Sequence, residues 1–301
     1  MRIPEDELSR GCYELKEHGN KEFPFNIYLC SIPQDFTGVR VHWHQEMELI
    51  VVKKGGVLVT VDKEIYLVKE GEAAVVLPGQ LHGIAQDGWA KGEYENIIFR
   101  LEMLISREED VCGARYLIPL EKGEGKTAVH MSGESPGYEV FMEGIGRLDC
   151  LCKEKAFGYE LGVKSALFQI AAALFQSWKP QTGKSGKGAR ERMKGLLDYI
   201  EEHYGERITV RDAAERCYYS QSHFMKYFRQ YMGISFVEYL NRYRISRAAG
   251  LLRATERPIS LIARDCGFDN LSYFNRLFRR DYGMTPGEYR KEGKKDEGIS
   301  L

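Results

Sequence analysis

Apolar positions change their period along the chain. From about Phe25 to Ile105 they come in short β-branched runs, VRVHWH, MELIVV, GGVLVTVD, EIYLV, GEAAVVLPG and NIIFRLE, with turn signals between them. Closely spaced strands of this kind predict an antiparallel sandwich or barrel. Residues 106–135 are less patterned and read as connecting structure. From Gly137 to Trp178 the period becomes helical, and Leu161, Ala166, Leu167, Ile170, Ala173 and Leu174 form a stripe on the second of two helices. Such a stripe suits a dimer interface or packing against the barrel about equally. KPQTGKSGKGAR, residues 179–190, has no apolar anchor and the composition of a flexible linker. Beyond it, Met193, Leu196, Leu197, Ile200 and Tyr204 mark another amphipathic helix.

The last third repeats itself at an offset of 50 residues. Ala213 pairs with Ala263, Phe224 with Phe274, Phe228 with Phe278, Gly233 with Gly283, and Glu238-Tyr239 with Glu288-Tyr289. A small alanine followed by a phenylalanine pair has the spacing of a helix-turn-helix. In the first copy VRDAAERC reads as a helix, Tyr218-Tyr219 as the turn, and Ser220 as the cap of a helix running through Met232. Phe224, Tyr227, Phe228 and Tyr231 fall on one face of that helix; Ser222, Met225, Lys226 and Arg229 fall on the other. In the second copy Asn270 is the cap, Phe274, Leu277 and Phe278 face inward, and Ser272, Asn275, Arg276 and Arg279 face outward. Each unit ends in a capping box, Ser235-x-x-Glu238 and Thr285-Pro-Gly-Glu288. Residues 236–253 between them read as one helix about 27 Å long, a spacer able to set two reading helices into major-groove segments about 34 Å apart. At offset 50 Cys217 stands where the second copy has Gly267, so a left-handed residue there would cost about 1 kcal/mol or more.

Charge sharpens this picture. Of the chain's 43 Lys and Arg and 44 Asp and Glu, residues 190–292 hold 19 and 14, so the repeat is basic while the remainder is acidic. That sign suits a surface that neutralises phosphates. At 301 residues and 43% hydrophobic, the chain has room for two cores, and no segment is apolar and long enough to predict a membrane span or a signal core. Seven cysteines without a CxxC pair suit a reducing compartment, so the expected location is the cytoplasm.

The run IARDCGFDNLSYFNRLFRRDYGMTPGEYR, preceded by RYRISRAAGLL, resembles the signature of AraC/XylS-type transcriptional regulators over about residues 190–292. The resemblance implies two helix-turn-helix subdomains joined by a linker helix. It places Ser222, Met225 and Lys226, and Leu271, Ser272, Asn275 and Arg276, against bases in double-stranded DNA. Arg276 is the best guanine reader, because its fork donates twice to O6 and N7. Met225 and Leu271 offer only apolar contact to thymine methyls. Activation of transcription, and so contact with RNA polymerase, is the usual output of that family.

The sharpest chemistry outside the repeat is His42-x-His44-x3-Glu48, followed by Pro78-Gly-x-x-His82. On an extended strand His42, His44 and Glu48 share a face. The cluster resembles the metal motif of cupins, with Gly55 and Gly71 at the expected turns and a shortened second motif around Pro78. Three imidazoles and a carboxylate suit zinc, iron, manganese or nickel. In AraC-type sensors such a barrel generally serves as an effector pocket, and many members have no metal. The four residues are therefore candidates for contacts to an organic effector, for a divalent transition metal, or for structure alone, and no cofactor is required. Tyr28, Tyr66, Trp89 and Phe99 are aromatic candidates for stacking on a sugar ring, against core packing as their default.

The fold expected is α+β in two domains: a cupin-like antiparallel β-barrel with helices, then an all-α double helix-turn-helix. The expected divisions are 1–135 for effector binding, 136–178 for a helical dimerisation segment, 179–190 for the linker and 191–292 for DNA binding. The function expected is a ligand-responsive transcription regulator, a homodimer and not an enzyme, with a sugar or sugar derivative as effector and no membrane partner. A metal-dependent cupin enzyme with an accessory DNA-binding domain is the competing class, and a DNA-binding protein without effector is a third.

Overall fold

The structure, a computed structural model, describes residues 18–88, 90–122, 125–126, 129–177, 179–180 and 187–297. Of the expected features, Cys12, Trp89, Trp178 and linker residues 181–186 lie outside them. The chain divides into two compact units, with the boundary between Lys187 and Gly188. The fold is mixed α+β, sheet-rich in the first unit and helical in the second.

Seven strands run in sequence: β1 (Phe25–Ile32), β2 (Gly38–His42), β3 (Met47–Val61), β4 (Glu64–Lys69), β5 (Ala73–Val76), β6 (His82–Gln86) and β7 (Gly92–Phe99). All their pairings are antiparallel. MELIVV and GGVLVTVD, which read as two strands, are halves of β3. Its first half pairs with β5 and β7 and its second with β4 and β6, so β3 turns a corner of the barrel. A bulge at the corner shifts the register between Val52 and Lys54. One extra residue flips the alternation, so Ile50 and Val52 before it and Val57, Val59 and Val61 after it all join one core. Gly55 therefore sits inside a strand and not in a turn between strands; its φ is +72°, and a side chain there would collide with the Lys91 carbonyl. Gly71, with φ +81°, does lie in the turn between β4 and β5.

Past a 3-10 turn at Leu101–Leu104 and a π-helical turn at Gly113–Leu117 come α1 (Ile118–Glu121), β8 (Gly125–Lys126) and β9 (His130–Met131). Helices α2 (Tyr138–Glu154) and α3 (Tyr159–Phe175) follow, and Lys179–Pro180, β10, pairs with β8. The even residues of β3 before the bulge face a core with Cys30, Ile84 and Tyr94, whereas Leu49, Val51, Ile97 and Phe99 face the two helices. Phe141, Ile145 and Leu148 of α2 and Ala166, Leu167, Ile170, Ala173 and Leu174 of α3 complete that second core. The helical stripe is thus spent on the barrel, leaving only its first member, Leu161, 76% exposed. Gly144 lets α3 approach α2, since a Cβ there would meet Ile170 at 2.6 Å.

Among the described residues the second unit is seven helices: α4 (Lys187–His203), α5 (Val210–Arg216), α6 (Gln221–Met232), α7 (Phe236–Ala254), α8 (Ile259–Asp265), α9 (Leu271–Tyr282) and α10 (Pro286–Glu297). Helix α4 starts within the last residues of the expected linker, and it buries Met193, Leu196, Leu197 and Ile200 as its period predicts. Helix α7 is buried at both ends. Phe236 packs against Phe224 and Phe228 at 5.4 Å, whereas Ile245, Ala248, Ala249 and Leu252 belong to a core with Ala263, Phe274 and Phe278.

Candidate functional site

Two matching exposed faces, the candidate DNA-reading surfaces, arise because α6 and α9 bury the same three positions. Phe224, Tyr227 and Phe228 are inside in one, and Phe274, Leu277 and Phe278 in the other. Every outward candidate is exposed: Ser222, Met225, Lys226 and Arg229 on α6, and Leu271, Ser272, Asn275, Arg276 and Arg279 on α9. Both helices start on their expected caps, with Ser220 accepting from the His223 N–H and Asn270 from the Tyr273 N–H. Both end on a left-handed glycine, Gly233 and Gly283.

The turns before them differ by one residue. Helices α5 and α8 superpose at an offset of 49, not 50: the Tyr219 N–H bonds Ala214 O as the Phe268 N–H bonds Ala263 O, and Cys217 and Cys266 are both buried helix ends. Ala263 thus matches Ala214, not Ala213. Asp269 is the extra residue that restores the offset of 50 in the reading helix. The left-handed position of the first turn is consequently Tyr218, φ +59°, and Cys217 is an ordinary helix end at φ −85°. Gly267 at φ +81° occupies the matching place, with the Tyr204 carbonyl and the Arg244 guanidinium so close that a Cβ would meet them at 2.7 and 2.8 Å.

Caps differ as well. Thr209 and Asp212 form a reciprocal capping box that the sequence reading overlooked, as Thr285 and Glu288 do where expected. Ser235 accepts from the Glu238 N–H, but the Glu238 carboxylate is taken by Arg242 at 2.7 Å, so this cap is half a box.

In the barrel, His42, His44, Glu48 and His82 converge, with one ligand atom of each within 4.8 Å of the others. The convergence does not come from one regular strand. Strand β2 stops at His42, a bend at Gln45–Glu46 carries His44 back over Glu48, and His82 arrives opposite His42 on β6. Glu48 Oε2 lies 2.8 Å from both His44 Nε2 and His82 Nε2. Burial alone would push the Glu48 carboxyl up, but the charge of His82 and the bonds from His44 and His82 hold it well below the usual carboxylate range. The donor set of imidazole and carboxylate fits a first-row transition cation. Among the described residues it is the one cluster of this kind, and Cys150 and Cys152 form none.

Residues 26–171 match the family described as AraC-like ligand binding domain, and residues 213–292 match a helix-turn-helix domain family. The chain belongs to the AraC family of transcriptional regulators. As an AraC-family chain it is 25% identical over 286 residues to the uncharacterized HTH-type transcriptional regulator YdeC of Bacillus subtilis, covering 94% of this chain and 97% of that one. The regulatory protein PocR of Salmonella typhimurium is 36% identical over 119 residues, 38% of this chain and 39% of its own. The HTH-type transcriptional activator RhaS of Escherichia fergusonii is 22% identical over 250 residues, covering 83% and 87%.

This AraC-family regulator accordingly joins a ligand-binding half to a DNA-binding half. No helix among the described residues is long and apolar enough to cross a membrane. Two neighbours of the sites escaped the sequence reading. His18 is buried with its ring 6.1 Å from His44, and its Nδ1 lies 3.1 Å from the Tyr28 hydroxyl; it precedes the strands and carried no periodic signal. Tyr273 lies under the Arg276 guanidinium at 5.2 Å and receives a hydrogen bond from Asn241, a contact that the i,i+3 spacing of 273 and 276 foretells. Of the aromatic candidates, Phe99 belongs to the core facing the helices, while Tyr28 and Tyr66 border the core inside the barrel.

Proposed function

We propose that this protein is a cytoplasmic, ligand-responsive transcriptional activator that binds a sugar or sugar derivative in its barrel. In this reading the nine outward residues of α6 and α9 contact DNA. Ser222, Met225, Lys226, Leu271, Ser272, Asn275 and Arg276 face bases, and Arg229 and Arg279 suit phosphates. His42, His44, Glu48 and His82 form the polar wall of the effector pocket. The effector shifts the population between two arrangements by binding one of them better. A homodimer recruits RNA polymerase at the promoter.

The observation that carries the reading is the shared burial pattern of α6 and α9, which frees one polar face on each helix. The name of RhaS, a transcriptional activator, supports the sign of the output. Footprinting on the promoter nearest the gene, with and without a panel of monosaccharides, tests it. Protection of two successive major-groove segments, altered by one of the sugars, is the expected result. Absence of any sequence-selective protection would overturn it.

A further inference from the structure

Several arginines of the helical unit spend their donors on carboxylates of their own chain. Arg280 donates through Nε and Nη2 to Asp281, at 2.7 and 3.2 Å, and Arg242 donates through Nη2 to Glu238 at 2.7 Å. Arg257 is paired with Asp265. Arg276 differs. Among the described residues no acceptor takes its N–H groups, and its guanidinium carbon lies over the Tyr273 ring, 5.2 Å from the centroid. Contact through the ring face restrains the guanidinium while leaving the five donors in its plane unused.

The ring beneath it is itself held at three places. The Tyr273 N–H donates to Asn270 Oδ1 at 2.9 Å, the ring lies 6.4 Å from that of Phe268 in the preceding turn, and the hydroxyl accepts from Asn241 Nδ2 at 3.0 Å. Asn241 belongs to α7, whose Ile245, Ala248, Ala249 and Leu252 share a core with Phe274 and Phe278 of α9. Tyr273 is 36% exposed, so this bond adds little to the core; its effect is to fix the plane of the ring. At the matching place in the first unit His223 turns its ring to Tyr219 at 4.3 Å, and Lys226, a point charge, has no plane to align.

We propose that Asn241 and Tyr273 are positioning residues for base recognition: Asn241 sets the Tyr273 ring, and the ring holds the Arg276 fork ready to donate twice to O6 and N7 of one guanine. An arginine restrained beforehand loses less rotamer freedom on binding, and only the base that accepts from the whole fork benefits. The proposal rests on Arg276 facing a base. It makes discrimination at that one base pair depend on Asn241, a residue that acts through Tyr273.

The test starts with selection of a site from randomised duplexes by the full-length protein. Affinity is then measured for the selected duplex and for duplexes in which each G·C pair in turn is replaced by A·T. Arg276→Ala should lower discrimination at one G·C pair by about ten-fold or more. Tyr273→Ala should lower it at the same pair by about two- to five-fold, the worth of an exposed cation–π contact. Asn241→Ala and Tyr273→Phe, the second of which keeps the ring, should each lower it by about two-fold, and the double variant no further than either alone. Discrimination at the other pairs and the melting temperature should stay as in the wild type, and Tyr273→Phe should have no effect when Arg276→Ala is already present. A uniform loss of affinity across all duplexes in Asn241→Ala and Tyr273→Phe, or unchanged discrimination in both while Arg276→Ala shifts it, overturns the proposal alone. If the wild type selects no site, or Arg276→Ala shifts no base preference, the assignment of Arg276 to a base fails first and the proposal falls with it.

Discussion

The two helix-turn-helix units bury the same positions and present different chemistry. The first exposes Ser222, Met225, Lys226 and Arg229, and the second Leu271, Ser272, Asn275, Arg276 and Arg279. Lysine is a point charge on a flexible stem, whereas Arg276 is a planar fork already stacked on Tyr273. The first unit makes its turn with a strained tyrosine, and the second makes it one residue longer with a glycine pinned between Tyr204 and Arg244. Packing has been kept in both units, while of the residues proposed to face bases the guanidinium and the carboxamide, Arg276 and Asn275, both stand on the second.

The largest effect should come from the shared packing. Phe278→Ala is expected to cost about 3–5 kcal/mol in chemical denaturation, and Phe228→Ala the same, because both rings are fully buried. A cost below about 1 kcal/mol in either would break the equivalence of the two cores. The turns should then separate them. Gly267→Ala adds a left-handed penalty to two collisions, and a loss of about 2–4 kcal/mol is expected. Tyr218→Gly removes the same penalty from an exposed site and should raise stability by up to about 1 kcal/mol. Equal signs in those two variants would refute the assigned turn geometry.

The reading faces come last in size. Arg276→Ala should weaken DNA binding by about 1–3 kcal/mol and relax selectivity at one base position, measured by selection from a randomised site. Lys226→Ala should lower affinity by less and without changing the preferred sequence. If the two variants lose selectivity alike, the asymmetry between the units disappears.

The exposed faces of α6 and α9 were legible in the sequence because a 3.6-residue period survives any shift in the preceding turn. The turn was not, since aligning copies at a constant 50 hid the insertion of Asp269 and moved strain from Tyr218 to Cys217. Strands β1 and β6 escaped because FNIYLCSI and HGIAQ lack β-branched runs, and β3 was cut in two because its glycine pair looks like a turn. The metal-like cluster was legible as residue types at motif spacing. Its geometry was not, because a bend at Gln45–Glu46 and a neighbouring strand, rather than one alternating strand, bring the side chains together.

Helix α7 contributes side chains to both cores, so neither reading helix can turn on its axis without disturbing the other. The operator must then match the protein in helical phase. One inserted base pair between half-sites rotates the second by about 35° around the duplex, and a helix with no hinge has no means of following it. Genuine sites for this chain should therefore share one fixed spacer length, and changing the spacer by half a turn should cost more than changing a base.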